Sequence, residues 1–171
     1  MDKKISDTKL TTYEVVYGGA SLGLVDGVEF KVTPELQDIK CDEFHEQVLD
    51  KRAVGYEVKL KGNLRQITLE SYKIAGIPWH ETNLNLTPTK LGQSMYSSAK
   101  ALVLHPHHLP ATDKTLDIEI DHALIISGLE LKNSEKDAAI PFEILALPDH
   151  NKLAQGEFYI GKIHGVAAST N

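Results

Sequence analysis

Apolar and polar residues alternate most cleanly over Gly55-Tyr56-Glu57-Val58-Lys59-Leu60-Lys61. A period of two places Tyr56, Val58 and Leu60 on one face and the charged residues on the other, which predicts a strand with one buried side and one wet side. The same reading predicts strands at Thr12–Tyr17, which ends at the turn signal Gly18-Gly19, and at Val28–Thr33, where Val28, Phe30 and Val32 share a face. Pro34 is expected to break that strand, and Glu35–Lys40 to return as a second short one.

Further strands are predicted at Lys100–His105, at Leu116–Ile126 and at Ala139–Leu147, where Pro141 points to an edge or a bulge. A last one is expected at Glu157–His164. One segment follows the helical period instead. Asn63 is placed to cap a helix, with Gln66 three residues on. Leu64, Ile67, Ser71, Ile74 and Ala75 form its apolar stripe, and Gly76 and Pro78 stop it. From Trp79 to Lys100 no period holds, with Pro88 and Gly92 interrupting it, and the segment reads as loop with room for one irregular strand. The ends, up to about Thr8 and over 166–171, are expected to fray. The whole predicts a single domain over 1–171 of mainly β (α+β) class. It is an antiparallel β-sandwich or partial barrel, with one packed helix and one extended loop.

That loop is the least ordinary part. From Asp42 to Ala53 the chain is mostly charged, through Asp42, Glu43, Glu46, Asp50, Lys51 and Arg52, with Phe44, Val48 and Leu49 as isolated apolar residues. A long polar loop between ordered strands in a compact domain is more often functional than idle. Acids toward one end and bases toward the other suit head-to-tail pairing between copies, and the three apolar residues suit anchors in a contact surface.

The order Gly23-Leu24-Val25-Asp26-Gly27-Val28, loop Asp42–Arg52, strand Gly55–Leu60 and helix Asn63–Ala75 resembles the tail tube proteins of long-tailed bacteriophages, over roughly the first half of the chain. The resemblance implies six-membered rings stacked into a hollow tube through which DNA passes, with the loop reaching a neighbouring subunit or ring. It implies as partners the protein's own copies, an internal tape-measure protein, a sheath or terminator protein, and DNA only in transit. The place implied is the virion tail, assembled in the host cytoplasm. The tube proteins of contractile and type VI secretion systems, and tail terminator or completion proteins, stand beside this reading.

Composition narrows the alternatives. With 171 residues, 42% hydrophobic and 25% charged, the chain is large enough for a proper core. A formal charge of -6 argues against gripping nucleic acid through a basic surface, but not against enclosing it. A single cysteine, Cys41, leaves no intramolecular disulfide and no Cys-rich zinc site. No run of 18 apolar residues suggests a membrane span, and the first residues lack a secretory apolar segment.

Candidate chemistry is sparse. His105-Pro106-His107-His108 invites a metal reading, but Pro110, Ala111 and Thr112 stand where a cupin-like carboxylate ligand would fall. Asp117, Glu119 and Asp121 would share one strand face at about 6.8 Å spacing. An EF-hand reading fails because His122 and Gly128 replace its Gly and Glu. The acids are expected to form a solvated face, or an acidic lumen wall that repels phosphate during DNA passage. Gly18–Gly23 has phosphate-loop spacing without the following Lys and Ser or Thr. No catalytic residue, cofactor or metal is therefore expected. A carbohydrate-binding β-sandwich is the second reading, and it is poorly served by one tryptophan, Trp79, and 6% aromatics. An enzyme is the third.

Overall fold

The structure, a computed structural model, describes residues 13–40, 48–66, 68, 92, 94–128, 130 and 139–165. They form an eight-stranded antiparallel sheet, so the fold is mainly β. The strands are β1 (Tyr13–Tyr17), β2 (Ala20–Ser21), β3 (Val25–Lys40), β4 (Val48–Leu64), β5 (Lys100–Pro106), β6 (Ile118–Ile125), β7 (Ile140–Ala146) and β8 (Gly161–Ile163). Their spatial order is β2-β1-β5-β6-β7-β4-β3, with β8 paired to β6. β7 flanks Ala123–Ile125 of β6, and β8 takes over along Ile118–Ile120. Among the described residues, helix is confined to α1 (His150–Leu153) and a 3-10 turn at Tyr96–Ser98.

The sheet curls until its two ends share one core. Val15 and Tyr17 of β1 join Leu60 and Leu64 of β4, Leu102 and Leu104 of β5, and Ile140, Phe142 and Ile144 of β7 in a single apolar cluster. Val25, Val28 and Phe30, from the far-end strand β3, pack against the same cluster. Each fully buried Leu or Ile contributes about 1.5–3 kcal/mol, so this cluster is what holds the partial barrel closed. Strands packed this closely leave no room at Gly62. A Cβ there would stand 2.8 Å from the Phe142 ring.

Local chemistry explains the regular parts. Gly18 and Gly19 both have positive φ, at 60° and 83°, as a two-residue hairpin turn of the primed kind requires between β1 and β2. Pro141 pairs with Asn63 of β4 but lies beyond the stretch where β6 pairs β7, so no ladder bond is demanded of it on that side. Asp149 caps α1 by accepting a bond from the Asn151 amide at 2.8 Å.

Four expectations need correction. Pro34 does not break its strand: β3 runs unbroken for 16 residues, with Pro34 opposite Tyr56, because β3 is an end strand of the sheet and tolerates a missing donor. Asn63 and Leu64 do not open a helix; they are strand residues of β4, opposite Pro141 and Ile140. The rest of that expected helix, from Ile67 on, falls largely outside the described residues. Residues 48–53 are not loop but the start of β4. Glu157–Ile160 is not strand, and only Gly161–Ile163 pairs.

Candidate assembly surface

The hairpin of β3 and β4 is far longer than the barrel needs. β4 pairs β7 only from Val58 to Leu64, whereas it pairs β3 along nearly its whole length. Thr33–Lys40 and Val48–Glu57 therefore project as a two-stranded arm, reaching roughly 25 Å beyond the sheet at about 3.4 Å per residue. Lys51 lies opposite Asp38, and their side chains pair at 3.0 Å. Both groups are well exposed, so the pair contributes at most a few tenths to about 1 kcal/mol. Two register shifts leave Val54 and Leu49 without partners across the ladder, and such bulges bend and twist a ribbon.

The arm carries apolar side chains in water. Leu36, Ile39, Val48, Val54 and Tyr56 are each between 44% and 56% exposed. Of the residues expected to form the contact loop, Val48, Leu49, Asp50, Lys51 and Arg52 thus lie on the second strand of this arm. Asp42, Glu43, Phe44 and Glu46 lie outside the described residues, as does Cys41.

At the base of the arm an apolar groove of about 290 Å³ opens between β3–β4 and the chain leading into β8, lined by Phe30, Val32, Tyr56, Phe158, Ile160 and Ile163 among others. The Tyr56 and Phe158 rings meet across it at 5.9 Å. On the opposite face of the hairpin, Glu29, Lys31, Glu57, Lys59 and Lys61 form a mixed-charge patch. There Glu57 bonds Lys59 at 2.6 Å, which raises the Lys59 pKa.

The three acids expected on one exposed face are not equivalent. Asp117 is 2% exposed and precedes β6; its Oδ1 lies 2.6 Å from His105 Nδ1. The strand period does not extend to it, since β6 begins at Ile118 and the residue before Asp117, Leu116, takes a positive φ of 69°. Glu119 lies on β6 beside Lys162 of β8 and His164 just after it: its Oε2 is 2.7 Å from His164 Nε2 and 3.2 Å from Lys162 Nζ. The His164 and Lys162 hydrogen bonds hold its carboxyl below the ordinary carboxylate range. Asp121 alone of the three is exposed.

The histidines of the 105–108 segment also part company. His105 is buried at the end of β5, with Nε2 3.3 Å from the Leu109 carbonyl, while His107 and His108 sit exposed in the turn that follows. Among the described residues no three His, Cys, Asp or Glu side chains converge as a metal site. The partner relation of His105 and Asp117, twelve residues apart, had no signal in the sequence. α1 did have one, in Asp149 followed by His150-Asn151 and closed by Gly156, whose φ is 83°.

The chain matches no protein-family model and no curated protein sequence.

Proposed function

We propose that this chain is a structural subunit that assembles with its own copies into rings and a tube, in the manner of a bacteriophage tail tube. The observation that carries this reading is the β3–β4 arm: an ordered ribbon, unsupported by the rest of its own sheet, holding large apolar side chains in water. Such a surface is costly for a monomer and useful at an interface. The outer part of the arm and the groove at its base lie at different places on one molecule, so contact between them from two copies is heterologous and propagates head to tail, closing into a ring or extending as a filament. Among the described strands β3 ends the sheet, and its outer edge adds backbone donors and acceptors to the same surface.

The acidic conduit is a narrower proposal than the sequence alone invites. It rests on Asp121 and on the overall charge of -6, since Asp117 is buried and Glu119 is engaged. Tape-measure, sheath and terminator proteins remain the proposed partners along the tube, and DNA its passenger.

Negative-stain electron microscopy of the purified chain over a concentration series, with mass measurement in parallel, tests the reading. Rings or tubes with a central hole support it. A monodisperse monomer at every concentration, with or without a tail initiator complex, overturns it.

A further inference from the structure

β8 is held to the barrel in an unusual way. Its three residues bury almost nothing apolar: Ile163 is 67% exposed, Lys162 is exposed, and Gly161 has no side chain. Ile160, just before it, packs against the core and marks where the firm attachment ends. Beyond that point the bonds are polar. Ile118, Glu119 and Ile120 of β6 lie opposite Ile163, Lys162 and Gly161. The His164 amide donates to the Asp117 carbonyl, and the Leu116 amide to the His164 carbonyl, each at 2.8 Å. Glu119 then grips both Lys162 and His164 through one oxygen.

The seat of β8 is also under tension. Leu116, which donates to His164, is a non-glycine residue at φ 69°, a sparsely populated conformation that persists only where its surroundings fix it. Those surroundings are the His164 bonds on one side and the buried Asp117–His105 pair on the other. Lost charge at Glu119 therefore weakens two side-chain bonds of a strand with little hydrophobic anchoring and a strained neighbour.

We propose that β8 is a releasable strand, latched by the ionised Glu119 carboxylate to Lys162 and His164, which acid opens at Ile160 to uncover the Ile118–Ile120 edge of β6. Glu119 faces few other charges. Val103 stands opposite it on β5, Asp121 follows on its own strand and also attracts Lys162, and Tyr159 lies near Lys162. Around the neighbouring pair, Lys114 reaches to 3.8 Å from Asp117, Glu14 of β1 is opposite His105, and Asp113 feels the His105 charge. Because its neighbours depress the Glu119 pKa, the latch is complete above the ordinary carboxylate value of about 4.3 and is lost as pH falls through the lower folded value. Lys162, whose pKa is raised, stays charged throughout that range. The device is independent of tube assembly.

Amide exchange of the full chain, expressed as protection factors from pH 3 to 7, tests it. At pH 7, Glu119→Gln is expected to lower protection over Lys162–His164 on the order of tenfold, with β1 and β5 amides unchanged. Wild type at pH 3 should show the same pattern, and Asp121→Asn should not show it at pH 7. Protection over β8 that is unaffected by Glu119→Gln and constant with pH overturns the proposal. So does an equal loss in Asp121→Asn, since it would mean that general charge rather than the Glu119 bonds holds the strand.

Discussion

Asp117 and His105 meet at 2.6 Å with their side chains almost sealed from solvent, one at the end of β5 and the other just before β6. The pair ties down both ends of the loop between those strands. Removing one partner strands the other without its bond in a buried site, which costs about 3–5 kcal/mol where the remaining group is charged. His105→Ala should therefore lower the urea midpoint sharply, and the double replacement His105→Leu with Asp117→Leu should recover most of the loss. If single and double variants lose equally, packing rather than pairing holds the loop.

Tyr17 gives the protein an alkaline limit. Its hydroxyl donates to the Ala123 carbonyl at 3.2 Å, and burial pushes its pKa up to about 12. A raised pKa means stability that is complete below the unfolded value of about 10 and lost as pH rises through the folded one. Thermal melts should thus fall between pH 10 and about 12 in the wild type. Tyr17→Phe should flatten that interval and cost about 1 kcal/mol at neutral pH, where the Ala123 carbonyl loses its donor.

The arm can be removed without touching the barrel. Thr33 and Glu57 face each other across the ladder, so joining them through an Asn-Gly turn keeps the register at the base. The shortened chain should retain its far-ultraviolet spectrum and a cooperative melt while remaining monomeric in sedimentation. Tubes formed by this variant would take the arm out of the assembly.

Gly62 tests how tightly the barrel is closed. A methyl group there meets two Phe142 ring atoms at 2.8 and 2.9 Å and Val25 at 3.3 Å. Gly62→Ala should cost about 1–3 kcal/mol in chemical denaturation, the range for overpacking a filled core. Gly62→Ala combined with Phe142→Leu should recover part of it.

Much of the barrel was legible because its strands have one wet face. Val58 and Leu60 go in and Lys59 and Lys61 stay out, as their alternation requires, and β1, β7 and β5 as far as Leu104 follow the same rule. The distal half of the arm was illegible for the opposite reason. Both faces of Asp50-Lys51-Arg52 are wet, so no period of two marks them, and only their ladder to Gln37-Asp38-Ile39 makes them strand. Asp117 was misplaced because a strand period carries no information about where the strand starts, and β6 begins one residue after it. The pairing of Glu119 with β8 lay beyond reach too, since nothing local says which residues 45 apart will touch.

The topology also sets an order of events as the chain folds. β3 and β4 are neighbours in sequence, whereas β1 must find β5, and β4 must find β7, across about half the chain. Loop-closure entropy makes such distant pairings late, while a hairpin closes in microseconds. The apolar ribbon is thus expected to exist before the barrel that will carry it. During synthesis, the surrounding proteins would meet an adhesive hairpin on an otherwise unfolded chain. Keeping that early ribbon from premature encounters is then a matter of timing, and slow barrel closure, more than low final stability, would be what makes this protein prone to go astray.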